Sequence, residues 1–166
     1  RNHYVGRTFI EPTQQIRSLG VKLKHNVNKS LIKDKSLILI DDSLVRGTTS
    51  VKIIKMLYEA GAKEVHLRIA SPPVKYPDYY GVDTPDQNEL LASKHNLESM
   101  RKYINATTLQ FLSLEGLYKS MGYEKRNSSY PQFTDHCFTG DYPVKPIDAN
   151  NKDFVDNQLS FMSSKS

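Results

Sequence analysis

Residues 37 to 50 read LILIDDSLVRGTTS. Four apolar residues run into two adjacent aspartates, Asp41 and Asp42, and Gly47-Thr48-Thr49-Ser50 closes the stretch. The apolar run, flanked by charge, predicts a short strand buried on both faces. The segment TTSVKIIKMLYEAGA, 48 to 62, then sets Val51, Ile54, Leu57 and Tyr58 on one helical face, and Gly61 ends it. EVHLRIA, 64 to 70, alternates as a strand does. Strand, loop, helix and strand in this order form a right-handed βαβ unit. The fold class is therefore α/β, with a mainly parallel sheet flanked by helices.

Working outward, PTQQIRSLGVKLK (12 to 24) reads as a helix opened by Pro12. Pro72-Pro73 stops the second strand, and 86 to 105 contains one or two helices. TLQFLS (108 to 113) is a further strand and LEGLYKSMG (114 to 122) a short helix. From Tyr123 the periodicity fades. The domain is placed at 1–122, and 123–166 is expected to be a partly mobile extension.

The loop between strand and helix suggests a ligand. In open α/β sheets, ligands bind outside the carboxyl ends of strands. Two neighbouring carboxylates repel each other when ionised, so Asp41 and Asp42 call for hydroxyl or metal partners. Gly47 permits a tight turn, and the N–H groups of Gly47 through Ser50 lie at the positive end of a helix dipole. Three hydroxyls add donors. An acid pair for a diol beside a phosphate turn fits a ribose 5-phosphate. Neither the Walker pattern nor a dinucleotide fingerprint is present. The plainer reading is an Asx turn at the strand end, with Thr48 or Thr49 as the helix cap.

Bulk properties bound the rest. The 166 residues suffice for one domain; 38% are hydrophobic and 25% charged. The net charge of +5 points to anionic partners without choosing among them. No apolar run approaches membrane length, and no aromatic-lined basic patch argues for nucleic acid. A single cysteine, Cys137, excludes an internal disulfide framework and a Cys-rich zinc site, and suits a reducing, cytoplasmic setting. His66 reads as a strand-surface histidine. Tyr76, Tyr79 and Tyr80 read as packing around Pro77.

The loop resembles the phosphoribosyl-pyrophosphate (PRPP) loop of type I phosphoribosyltransferases. Its form, Asp-Asp-Ser-x-Val-Arg-Gly-Thr-Thr, is similar to that of the amidophosphoribosyltransferase family. RNHYVGRTFIEPTQQIR (1 to 17), MLYEAGAKEVHLRIASPP (56 to 73), YYGVDTP (79 to 85), ATTLQFLSLEGLYKSMG (106 to 122) and CFTGDYP (137 to 143) resemble further segments of that family in the same order.

The resemblance implies a transferase that displaces pyrophosphate from PRPP with ammonia, giving 5-phosphoribosylamine at the start of de novo purine biosynthesis. It implies Asp41 and Asp42 on the ribose hydroxyls and on Mg²⁺. It implies Ser43 and Arg46, Gly47, Thr48, Thr49 and Ser50 around the substrate, chiefly its 5′-phosphate. Residues 1–17 are the expected lid loop, with Arg7 on pyrophosphate and Tyr4 lining an ammonia channel; His3 stands where relatives often carry Arg. Purine nucleotides are the expected inhibitors, and the full-length form is expected to be a homo-oligomer.

Two departures are expected. The chain opens without Met, inside a motif, and reads as a piece lacking the first strands of its domain and the glutaminase region that supplies ammonia. Some relatives bind a [4Fe–4S] cluster through cysteines, and two such ligands would fall at Asp78 and Thr134. Cys137 alone matches, so no iron–sulfur cluster is expected. The alternative function is a non-catalytic piece that binds ribose phosphates or purine nucleotides.

Overall fold

The computed structural model describes residues 27–81, 84 and 86–144. The expected helix at 12–24, the lid loop, Tyr4 and Arg7 lie outside the described residues.

Three parallel strands carry the fold: β1 (Ser36–Asp41), β2 (Glu64–Ile69) and β3 (Thr108–Phe111), in the order β1-β2-β3. Register is set by pairs such as Leu39 with Leu67 and Leu67 with Leu109. The helices in chain order are α1 (Lys29–Ile32), α2 (Thr48–Glu59), α3 (Leu91–Lys94), α4 (Leu97–Ile104), α5 (Leu114–Ser120) and α6 (His136–Thr139), with a 3₁₀ turn at Gln87–Glu89. The expected strand-helix-strand unit is therefore β1-α2-β2. The region 86 to 105 resolves into a 3₁₀ turn and two helices, because Asn96 interrupts it and caps α4 by accepting from Ser99 N–H at 2.9 Å.

The core lies on one face of the sheet. Val65, Leu67 and Ile69 of β2 point into it, and Ile54 of α2 with Met100 and Ile104 of α4 close over them. Leu37 and Leu39 of β1 pack against the same cluster. Period-two geometry sends the alternate residues to the other face. There Ile38 and Ile40 are 69% and 73% exposed. The expectation of burial on both faces thus fails for β1 among the described residues, because the described helices cover only one side.

The open face carries a polar lattice on β2. Ser36 donates to Glu64 at 2.8 Å, His66 Nδ1 pairs with the Thr108 hydroxyl at 2.9 Å, and Arg68 donates to that same hydroxyl at 2.9 Å. His66, read as a strand-surface histidine, lies on this face and is hydrogen-bonded there.

Residues 123–144 fold back on the domain. Arg126 donates to the Asp135 carboxylate at 2.6 and 3.1 Å, and the Tyr118 hydroxyl reaches the same group at 2.8 Å. Asp135 is only 4% exposed. The carbonyl of Cys137 receives the N–H groups of both Lys75 and Tyr76. The tyrosines after Pro77 join this docking. Tyr79 and Tyr142 lie 5.4 Å apart by ring centroid, and Tyr142 donates to the Pro77 carbonyl at 2.9 Å.

Candidate functional site

The carboxyl end of β1 places Asp41 as its last residue, and the chain turns there. Asp42 and Ser43 are exposed and form a local knot. Ser43 donates its N–H to Asp42 Oδ1 at 2.7 Å and its hydroxyl at 3.3 Å, while Asp42 N–H meets Asp41 Oδ1 at 3.1 Å. Leu44, 2% exposed, plugs the loop into the core. One apolar residue thereby anchors a polar loop whose neighbours face water.

Gly47 forms the second corner. Its φ of +77° is left-handed, and a Cβ built there would meet Leu91 Cδ2 at 3.0 Å and Tyr103 Cε1 at 3.2 Å. Both backbone conformation and space therefore require glycine. Helix α2 begins at the next residue, with Gly47 as its N-cap and no side-chain cap. Thr48 and Thr49 are the first helical residues and are exposed, so neither acts as the cap. Ser50 is 3% exposed and lies on the buried side of the first turn.

Arg46 makes a 2.7 Å ion pair with Glu89, and both are partly exposed. Next to it, Leu91 N–H donates to the Val45 carbonyl at 2.9 Å. The loop is thus clamped to the 3₁₀ turn and α3, elements some forty residues later. Sequence reading missed Glu89 and Leu91 as its supports; neither occurs in a pattern that announces it. The structure brings Asp41, Asp42, Ser43, Arg46, Gly47, Thr48, Thr49 and Ser50 together in one loop and helix start.

A depression of about 420 Å³ lies at the carboxyl ends of the other two strands, lined by Lys75, His95, Met100, Phe111 and Ser113 among others. It sits toward β3, the opposite edge of the sheet from Asp41.

Asp78 and Cys137, set by the resemblance at cluster-ligand positions of relatives, meet in the structure together with His136, which sequence reading missed. Asp78 accepts from His136 Nε2 at 2.8 Å, and Cys137 Sγ lies 3.8 Å from the same oxygen. Burial pushes the Cys137 thiol up to about 11, with the Asp78 charge adding to the shift. Spacing alone does not link position 78 to 136; the docking of the later segment brings them together.

An amidophosphoribosyltransferase of Rhizobium etli is 58% identical over 165 residues, 99% of this chain and 33% of the relative. Over nearly its whole length the chain is similar to amidophosphoribosyltransferases. The Bacillus subtilis amidophosphoribosyltransferase is 48% identical over 145 residues, 87% of the chain and 30% of the relative. A solved structure of the glutamine PRPP amidotransferase from B. subtilis, complexed with ADP and GMP, superposes with a TM-score of 0.70 at 48% identity. It covers 86% of this chain, which covers 31% of that one. The chain thus spans about a third of the length of the relatives it matches. No protein-family model matches it. The parallel sheet flanked by helices agrees with the phosphoribosyltransferase architecture of these amidotransferases. Among the described residues, no helix is long and apolar enough to cross a membrane.

Proposed function

We propose that this chain carries the PRPP-binding loop of an amidophosphoribosyltransferase, and that the assembled enzyme replaces the pyrophosphate of PRPP with ammonia to give 5-phosphoribosylamine. That reaction opens de novo purine biosynthesis. One observation carries the reading: an acid pair at the end of β1 is joined, through a glycine whose space is filled by Leu91 and Tyr103, to the uncapped start of a twelve-residue helix. Similarity to amidophosphoribosyltransferases supports it.

Each residue has a physical task. Asp41 and Asp42 accept hydrogen bonds from the two ribose hydroxyls. As the C1–O bond breaks, positive charge grows on the ribose, and carboxylates held in place stabilise it. The first N–H groups of α2 and the exposed hydroxyls of Thr48 and Thr49 take the 5′-phosphate. Ser43 holds Asp42 in orientation. Arg46, tied to Glu89, keeps the loop against α3 and adds positive charge near the phosphate. Arg7 on pyrophosphate and Tyr4 along an ammonia path complete the proposal, and lid closure excludes water.

Mg²⁺ fits the donor set. Asp42 is exposed with its Oδ1 engaged by Ser43, and two carboxylates alone make an incomplete cage. Mg²⁺ suits such sites, because it keeps waters and shares substrate phosphates. When bound it neutralises the pyrophosphate as that group leaves.

Ammonia would come from a glutaminase domain or chain. Purine nucleotides as inhibitors are supported by the ADP and GMP in the B. subtilis structure. A homo-oligomeric full-length form and a cytoplasmic site of action belong to the same proposal, although relatives in Arabidopsis thaliana are chloroplastic.

The test is ammonia-dependent release of pyrophosphate from PRPP by the chain, alone and supplemented with the remaining two-thirds of a relative. Release abolished by Asp41→Asn with Asp42→Asn supports the reading. PRPP binding without release in both settings would establish a non-catalytic ribose phosphate binder.

A further inference from the structure

Asp78, His136 and Cys137 come together from two segments that the proposed PRPP chemistry does not use. Asp78 lies in the stretch after β2, and His136 and Cys137 open α6. One potential ligand atom from each residue lies within 4.8 Å of the other two. The His136 and Asp78 side chains are 4% and 7% exposed. The Asp78–His136 contact engages only Nε2 of the imidazole. His136 Nδ1 is fully buried and has no hydrogen-bond partner among the described residues. Nε2 is the nitrogen that faces Asp78, and it is the imidazole donor of the cluster.

We propose that Asp78, His136 and Cys137 form a site for one zinc-class divalent ion that staples residues 123–144 onto the segment after β2. The donor set is one carboxylate oxygen, one imidazole nitrogen and one thiolate sulfur. That mixture suits zinc; Mg²⁺ and Ca²⁺ prefer oxygen alone. It does not suit an iron–sulfur cluster, which takes four thiolates.

Distances agree. Zinc bonds to oxygen, nitrogen and sulfur place tetrahedral ligand atoms roughly 3.5 Å apart. The observed separations of 2.8 Å (His136 to Asp78) and 3.8 Å (Cys137 to Asp78) bracket that value. Charge agrees as well. A carboxylate and a thiolate together cancel a divalent cation, so the loaded site is neutral, as a buried site must be. A water completes the fourth position.

The surroundings hold the ligands still. Lys75 and Tyr76 both donate backbone N–H to the Cys137 carbonyl. Tyr80 packs edge-on to the His136 ring at 5.1 Å, and Tyr142 lies 5.0 Å from it. These rings flank the imidazole and fix its orientation. The inference does not rest on the PRPP reading, since no residue is shared with the Asp41 loop.

The experiment uses the untagged 166-residue chain, first stripped of metal. Titration with Co²⁺ should give one equivalent of tetrahedral cobalt with a sulfur-to-cobalt charge-transfer band, and Zn²⁺ should bleach it. Because Cys137 is the only cysteine, the wild-type chain supplies an independent reading: Zn²⁺ should slow its alkylation by iodoacetamide about tenfold or more. Cys137→Ala and Asp78→Asn should lose the charge-transfer band or the stoichiometric uptake, while Thr134→Ala keeps both. Absence of the band, a band that survives Cys137→Ala, or alkylation indifferent to Zn²⁺ would overturn the proposal.

Discussion

Leu91 Cδ2 stands 3.0 Å from the place where a Cβ on Gly47 would be, and Leu91 N–H donates to the Val45 carbonyl two residues before that glycine. The first turn of α3 therefore acts as the back wall of the candidate phosphate loop. The loop's shape is fixed from behind, by an apolar residue.

Gly47→Ala follows from this relationship. The substitution forces an L side chain into a left-handed conformation, which costs about 1–2 kcal/mol, and drives its methyl into Leu91 and Tyr103. Thermal unfolding should show a loss of at least that size. Gly47→Ala/Leu91→Ala relieves the tighter contact but neither the approach to Tyr103 nor the backbone strain, so PRPP affinity should recover only in part. Full recovery would show that the Leu91 contact alone mattered.

Glu89→Gln tests the clamp on Arg46. Exposed pairs contribute little to stability, and the unfolding midpoint should hardly move. PRPP binding should weaken several-fold, because Arg46 then leaves its position beside the phosphate turn. Unchanged binding would make the 2.7 Å pair ornamental to the site.

The later segment predicts an acid response. Burial opposes the charge on Asp135, but the Arg126 fork and the Tyr118 and Thr139 hydroxyls outweigh it and hold the carboxyl below its usual range. A depressed value in the folded state contributes stability that is present above the unfolded pKa, about 3.9, and is lost as pH falls through the lower folded value. Acid unfolding monitored by tyrosine fluorescence should begin in that window. Asp135→Asn should flatten it. Arg126→Met leaves Asp135 buried without its counter-ion and should cost about 3 kcal/mol at neutral pH.

These tests also show which parts of the structure could be read from the chain. The β1-α2-β2 unit was legible because Val51, Ile54 and Leu57 repeat at helical spacing and 64 to 70 alternates. The Asp41–Ser50 loop was legible because its residues are contiguous. One-sided burial of β1 was not: LILI carries apolar residues on both faces, and only the exposure of Ile38 and Ile40 distinguishes them. The Arg46–Glu89 clamp and the Asp78–His136–Cys137 cluster depend on residues 43 to 59 positions apart. Periodicity reports neighbours within one element and is silent about such pairs. The docking of residues 123–144 was hidden for the same reason, since its anchors are an ion pair and hydrogen bonds, not an apolar repeat.

The central claim is that the carboxylates closing β1 recognise a ribose whose phosphate lies at the start of α2. Calorimetric titration of the chain with PRPP, with and without Mg²⁺, tests it most directly. The account predicts Mg²⁺-dependent binding that Asp41→Asn/Asp42→Asn abolishes while circular dichroism remains that of the folded chain. Binding to a folded wild-type chain that survives the double substitution, or no binding at all by that folded chain, would contradict it.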